Sequence, residues 1–529
     1  MNASSASLEA VPQLARVIPR DAHPISRSRI SPEALRVLYR LKDAGYQAFL
    51  VGGCVRDLII GEAPKDFDVV TDALPEELKR LFRNCRLVGR RFRLAHIMFG
   101  REVIEVATFR ASSAPVEDDE PAPEDPDDGE TGIDHENPLD ALQVDDSDFE
   151  EPVDLVDEPG SGAHAEAAFT GSQEATRTAP RDSGSLERVV NDEGRIVRDN
   201  VYGTIDDDVW RRDFTANALY YNIADFSVWD YVGGFEDTVA RRLRLIGDPE
   251  TRYREDPVRM LRAARFEAKL HFTLDAPTAA AIETLADTLA GVPPARLFDE
   301  TLKLFLGGHG ARSYEVLQQR GLLQALMPPV GDFATRFAGS PPERMLVQAL
   351  HNTDARVAAD RPVSPTFLFS VLFYGPVGLA IESAPRERWH DIGTILDAVD
   401  AIHRQVHSRI SIPRRFSLGV REMFALQPRL ESPRGRRALR MLEHPRFRAA
   451  YDLLELRAQF GMASQETVDW WTAIQQEPDS ARRMELAAAQ LAADGSSRSG
   501  GGSASGGRGP RRRSRRGRGG GGRSAPPGA

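Results

Sequence analysis

LVGGCVRDLIIGEAPKDFDVVTD occupies residues 50–72. An apolar run ends at Val51, and Gly52 and Gly53 come next, before a segment with helical spacing. Glycines at such a turn let the backbone approach a ligand closely, with N–H groups facing a phosphate at a helix start. Taken alone, a Gly-Gly turn is more often just a tight strand–helix connection. Two acids a dozen residues downstream shift that balance. Asp66 and Asp68 flank Phe67 on a second segment that reads as a strand beside the first. Residues i and i+2 of a strand face the same side, so both carboxylates project from one spot. Like charges held that close raise each other's cost unless a cation or a proton lies between them. A glycine cradle next to paired carboxylates is what a metal–triphosphate site requires, since Mg²⁺ binds through one or two carboxylates plus phosphate oxygens.

The flanks extend this unit. SPEALRVLYRLKDAGYQ (31–47) has Leu35, Leu38 and Leu41 at helical spacing after a Ser-Pro start. PEELKRLFRN (75–84) reads as a short helix, acidic at its start and basic at its end as the helix dipole favours. RLAHIMF and EVIEVATFR read as a hairpin turning near Gly100. From DPVRMLRAARFEAKL to about Met484 the pattern is mostly helical. The fold class is therefore α+β, a small mixed-sheet head followed by an all-α neck and body.

The net charge of −11 conceals two blocks of one sign. Residues 111–176 hold 22 Asp and Glu with no Lys or Arg, whereas 495–529 hold nine Arg and no acid. The rest of the chain is close to neutral, at +2. Blocks of this kind are read as disordered. No run of 18 or more apolar residues marks a membrane span, and the first residues lack the apolar core of a signal peptide. Two cysteines, Cys54 and Cys85, in 529 residues point to a reducing cytoplasm and against a disulfide framework.

Further acids and arginines lie downstream. In WRRDFTANALYYN (210–222), Arg211 and Arg212 suit phosphate or ribose contacts. Asp213 is a third acid able to face the same metals. Glu105, inside the apolar VIEVATF, points outward or into the site. In REDPVRMLRAARF (254–266), Asp256 and Arg259 stand three apart, which on a helix gives them one face. A carboxylate accepts from an amino group and a guanidinium donates to a ring nitrogen. Adenine and cytosine both offer that pair of partners, and uracil and guanine offer the reverse. The bland reading is a surface ion pair worth under ~1 kcal/mol.

In order, the chain carries G-G-x-V-R-D, D-x-D, R-R-D-F-T-x-N-A-L and E-D-P-x-R-x-L-R-A. It resembles the class II nucleotidyltransferases of the polymerase β superfamily, the group of bacterial poly(A) polymerases and tRNA CCA-adding enzymes. The resemblance covers about residues 30–110 and 195–470. It implies that Asp66 and Asp68 bind catalytic Mg²⁺, that Asp213 completes the acidic site, and that Arg212 contacts the incoming nucleotide. Gly52, Gly53 and Arg56 would support the triphosphate of ATP, and Asp256 and Arg259 would read its base. RNCRLVGRRFRLAHIMFG (83–100) and MLEHPRFRAAYDLLELRA (441–458) resemble the bacterial poly(A) polymerases within the group. Arg86, Arg90, Arg91 and Arg93 form a basic cluster suited to RNA.

This reading divides the chain into a flexible leader (1–27), a nucleotidyltransferase head (28–250, with the acidic insertion at 111–194), a neck (251–310), an RNA-binding body (311–490) and an Arg/Gly-rich tail (491–529). The expected activity is addition of AMP from ATP to RNA 3′ ends, with RNA-decay proteins as further partners. A CCA-adding enzyme is the nearest alternative and a non-catalytic RNA-binding protein a more distant one. The acidic insertion is longer than the family pattern leads one to expect, and the tail has little family sequence to match. His390 and Asp391, in WHDIG, read as a chance dipeptide rather than a phosphohydrolase metal pair.

Overall fold

The computed structural model describes residues 15–89, 93–100, 102–111, 202–432 and 435–488, together with two short strands at 189–190 and 196–198. The acidic insertion, apart from Ala111 and that strand at 189–190, and the basic tail lie outside the described residues.

The head opens with β1 (Arg16–Ile18), α1 (Pro32–Asp43), β2 (Ala48–Val51), α2 (Gly53–Ile60), β3 (Asp68–Thr71), α3 (Pro75–Leu81), β4 (Cys85–Val88), β5 (Leu94–Phe99) and β6 (Glu102–Thr108). Ser31 caps α1 by accepting from the Ala34 N–H at 3.1 Å, and Ala34, Val37, Leu38 and Leu41 turn inward. A small hairpin, β7 (Val189–Val190) with β8 (Ile196–Arg198), precedes α4 (Ile205–Arg211), β9 (Leu219–Asn222), β10 (Val228–Asp230), α5 (Gly234–Val239) and β11 (Arg242–Leu243). Eight strands form one sheet in the order β1-β10-β9-β2-β3-β6-β5-β4. Only β3 and β6 run parallel within it.

One face of the sheet carries a core built with α1, α2 and α3, around Val37, Leu58, Val69, Ile104 and Val106. The other face carries a smaller core around Phe49, Val70, Phe109, Val209 and Tyr220. The leader is shorter than the sequence reading placed it. Arg16–Ile18 pairs with β10 as the edge of the sheet, and Ile25 is fully buried. A strand of three residues carries too little alternation to be recognised without its partner.

The neck and body are helical: α6 (Pro249–Glu255), α7 (Val258–Leu270), α8 (Ala276–Leu285), α9 (Pro294–Phe305), α10 (Gly310–Gln319), α11 (Leu322–Leu326), α12 (Pro328–Arg336), α13 (Pro341–Ala358), α14 (Pro365–Glu382), α15 (Ile392–His407), α16 (Arg414–Glu431), α17 (Gly435–Leu442), α18 (Phe447–Gln459) and α19 (Gln465–Gln476). Within this series, the short strand β12 (Thr273–Leu274) comes after α7 and pairs with β11. A single apolar cluster runs from Phe214 in the head through α7 and α9 to Trp471 in α19. Among the described residues, α14 alone is long and apolar enough to cross a membrane. It packs instead against α12, α13, α15 and α16. Asp391 precedes α15 and accepts from the Thr394 hydroxyl at 3.4 Å, a local helix-start contact.

Candidate active site

Gly52 has φ 78° and ψ −134°, a conformation open to glycine. It turns the chain from the end of β2 into α2. A Cβ at Gly52 would lie 3.7 Å from the Asn217 carbonyl oxygen and 3.8 Å from Arg212 Nη1. The cradle is thus roofed by Arg212.

β3 begins at Asp68, so Asp66 lies in the run that leads into the strand rather than inside the ladder. Both residues are exposed. Asp68 stands opposite Glu105 on β6, Glu105 opposite His96 on β5, and His96 opposite Arg86 on β4. His96 Nε2 is 3.5 Å from Glu105 Oε1. The acid that the sequence left facing either way therefore points to the carboxylate side, in line with Asp68. The Asp68 carboxyl is pushed up to about 6, chiefly because surrounding protein displaces part of its water, then because Glu105 lies beside it. Arg212 pulls the other way, and Asp66 adds a smaller push.

Among the described residues, no group of three or more His, Cys, Asp or Glu is arranged to hold a metal ion by itself. Two exposed carboxylates with a third beside them nevertheless fit a hard divalent cation that completes its shell with substrate phosphate oxygens and water. Repulsion that raises a proton affinity is relieved equally well by such a cation.

Arg212 is aimed by two residues. Its Nε and Nη2 donate to Asp208 Oδ2 at 3.1 and 2.8 Å, and Nε also donates to the Tyr220 hydroxyl at 2.8 Å. Tyr220 in turn donates to the same Asp208 oxygen at 2.9 Å. Burial works against the charge of Arg212, but Tyr220 and Asp208 outweigh it and keep the guanidinium firmly protonated. Its remaining nitrogen, Nη1, faces the glycine turn.

Arg56 departs from expectation. It is 2% exposed. Its Nε and Nη2 donate to Asp57 Oδ1 at 2.9 and 2.7 Å, and Nη1 donates to Asn217 Oδ1. These bonds fix the guanidinium under the start of α2, with Nη2 3.4 Å from where a Cβ on Gly53 would stand.

Asp213 also departs from expectation. Its Oδ2 accepts from Arg262 Nε and Nη2 at 2.9 and 2.6 Å. Its Oδ1 accepts from the Phe214 N–H at 2.8 Å and from Asn217 Nδ2 at 3.2 Å. Burial alone would raise its carboxyl, but Arg262 and these hydrogen bonds outweigh that and hold it below the usual range. The third acid beside Asp68 is Glu105, and Asp213 straps the head to α7.

Asp256 and Arg259 do not share a helix. Asp256 is extended (φ −148°, ψ 92°) between α6 and α7, as expected of a residue before proline. Its Oδ2 accepts from Arg296 Nη2 of α9 at 2.7 Å. Arg259 Nη1 donates to the Arg252 carbonyl at 2.8 Å and to Glu255 Oε2 at 2.9 Å. Arg252 donates to that same Glu255 oxygen at 2.7 Å and to the Arg212 carbonyl at 2.8 Å. Arg259 and the Arg212 backbone are thus joined through Arg252 of α6.

Three family models match the chain. "Poly A polymerase head domain" covers 48–134 and 162–244, "Probable RNA and SrmB- binding site of polymerase A" covers 271–333, and "Polymerase A arginine-rich C-terminus" covers 387–518. Poly(A) polymerase I of Escherichia coli is 43% identical over 87% of this chain and 85% of its own. The Haemophilus influenzae protein of that name is 40% identical over 84% and 85%. The chain belongs to the bacterial poly(A) polymerase I family. A CCA-adding enzyme of Lactobacillus helveticus is a more distant relative, 28% identical over 57% of this chain and 56% of its own. The solved Thermotoga maritima CCA-adding enzyme complexed with tRNA is 18% identical, with a TM-score of 0.47 over 87% of this chain and 85% of that one.

Several residues of this poly(A) polymerase family member escaped the sequence reading. Asp208 stands four before Arg212 on α4, a spacing that puts the two side chains together. Arg262 and Arg296 carried no such signal, because their partners Asp213 and Asp256 are 49 and 40 residues away, whereas Arg252 stands only three before Glu255. Of the basic cluster, Arg86 is exposed on β4 and Arg93 pairs with Glu76 at 2.7 Å. Arg90 and Arg91 lie outside the described residues.

Proposed function

We infer that this chain is a template-independent poly(A) polymerase, adding AMP from ATP to RNA 3′ ends and releasing pyrophosphate. What supports the reading is Glu105 standing opposite Asp68, the Gly52 turn beside Arg212, and the bonds through Arg252 that run from the Arg212 carbonyl to Arg259, in a chain of this family. Asp66 and Asp68 hold Mg²⁺ with Glu105 beside them. When bound, the metal lowers the pKa of the attacking hydroxyl and neutralises charge on the departing pyrophosphate. The N–H groups at Gly52 and Gly53 take the triphosphate, and Arg212 takes a phosphate or sugar oxygen. Arg56 and Asp213 act by positioning, one under the cradle and the other at the head–neck junction. Asp256 and Arg259 read the amino group and ring nitrogen of the base. The neck, body and basic tail hold RNA without a primary sequence code, and the protein works in the cytoplasm in RNA turnover, alongside RNA-decay proteins.

A nucleotide-incorporation assay tests this, with each NTP in turn, on an unstructured RNA and on a tRNA lacking its terminal CCA. The expected result is tails of many A residues on the unstructured RNA, with CTP a poor substrate. Addition of C, C and A to the tRNA with no tail on the other RNA would overturn it in favour of a CCA-adding enzyme.

A further inference from the structure

The sheet face that carries Asp68 is covered unevenly. Val70 and Ala107 meet the small core around Phe109, Val209 and Tyr220. One alternation back along β3 and β6 that cover ends, and Asp68 and Glu105 are exposed. The open area continues toward the edge of the sheet. Met98 and Val103 stand directly opposite each other on β5 and β6. They lie two residues along from His96 and Glu105, hence on the same face. They are 43% and 37% exposed, while α1 and α3 pack against the opposite face. An exposed apolar pair therefore lies beside a row that runs carboxylate, carboxylate, imidazole, guanidinium from Asp68 to Arg86.

The strand order gives this surface a direction. β3 lies between β2, which ends in the Gly52 turn, and β6. In an in-line displacement at the α-phosphate, the attacking oxygen and the leaving pyrophosphate stand on opposite sides of phosphorus. With the triphosphate on the β2 side, the RNA hydroxyl arrives from the β6 side. Strand spacing places His96 about 10 Å and Arg86 about 15 Å from Asp68, which is the reach of the last nucleotide or two. A thioether makes favourable contact with an aromatic ring, and a guanidinium suits a phosphate.

We propose that the open β4–β5–β6 corner is the subsite for the 3′-terminal nucleotide of the RNA, with Met98 and Val103 against its base and His96 and Arg86 toward its phosphate. This rests on the reading of Asp66 and Asp68 as the metal site. Two measurements on the full chain test it. In the first, Met98→Ser/Val103→Ser and His96→Asn are compared with the parent in steady-state extension of an unstructured RNA with Mg²⁺ and ATP. Met98 and Val103 are exposed and His96 is half-buried at the sheet surface, outside the core, so the melting temperature stays close to the parent value. The KM for RNA rises about tenfold, and the KM for ATP changes far less. In the second, the unaltered chain is photocrosslinked to an oligonucleotide whose 3′ residue is 4-thiouridine. The crosslink falls within residues 94–105.

An unchanged KM for RNA in both variants, or a crosslink confined to other elements, overturns the subsite while the polymerase reading stands. A parent chain that never extends RNA with ATP overturns both. A change in oligomeric state with no change in RNA KM would make the corner a contact between copies and also overturn the proposal.

Discussion

Asp68 carries a charge that the ligand-free fold resists. Its carboxyl is pushed up to about 6, against an ordinary value near ~4. Between those two values the folded chain keeps a proton that the unfolded chain has lost, so ionisation of Asp68 costs stability as pH rises through that window. Asp68→Asn is therefore expected to melt at or above the parent at pH 7.5 without divalent ions, with the difference vanishing below about pH 4. The same variant should lose polymerisation. In the parent, metal and proton compete for this carboxylate, so the Mg²⁺ concentration for half-maximal rate should climb steeply below pH 6. A flat Mg²⁺ requirement from about pH 5 to 8, or an active Asp68→Asn, would remove Asp68 from the metal site. Asp213 behaves in the opposite sense. Its lowered carboxyl contributes stability above the ordinary value, and that contribution is lost as pH falls through the lowered one. Asp213→Asn leaves Arg262 without its carboxylate in a half-buried site. A loss of about 3 kcal/mol in urea unfolding at neutral pH is expected. Full stability with no activity would restore Asp213 to the metal site.

At the scale of elements, α6 links Arg212 to Arg259. Arg252 reaches the Arg212 carbonyl, and Arg259 is held by Glu255 and the Arg252 carbonyl. The named bonds of Arg259 both use Nη1, and under the proposed function its other nitrogens meet the ring nitrogen of a base. Arg259→Ala should therefore relax base choice more than it weakens triphosphate binding, by ~1–3 kcal/mol of discrimination. Measured kcat/KM for ATP and CTP on one RNA would check this. Equal losses for both nucleotides would assign Arg259 to general binding. Asp256, between α6 and α7, accepts from Arg296 of α9, which ties this end of α6 to a second helix of the neck.

At the scale of the whole molecule, charge is segregated along the chain, with 22 acids in 111–176 and nine arginines in 495–529. An acidic stretch competes with RNA for basic surface, and a basic one adds affinity that falls with salt. Deleting residues 114–190 should tighten RNA binding at low salt and matter less at high salt, as the Debye length shrinks from ~10 Å at 0.1 M to ~3 Å at 1 M. Removing 495–529 should weaken binding and flatten its salt dependence. Filter binding across a salt series measures both. Identical curves would leave the two segments with no electrostatic part in RNA binding.

What the sequence determined by itself was local. The Gly-Gly turn after β2, the capped start of α1, the spacing of Asp66 and Asp68 and the hairpin near Gly100 all depend on near neighbours, and so were legible in order along the chain. Glu105 was half legible: alternation gave it a face but not which face. The parallel pairing of β3 with β6 chose that face, because it fixed the register against Asp68. The tertiary structure decided the rest. β1 became a strand only by adding to β10. Asp213, expected beside the metals, pairs with Arg262, 49 residues away, and Arg56, expected at the triphosphate, donates to Asn217, 161 residues away. Motif spacing states which charges are present, but a buried charge goes to whichever partner the packing brings within hydrogen-bond reach, since leaving it unpaired costs more than any local preference.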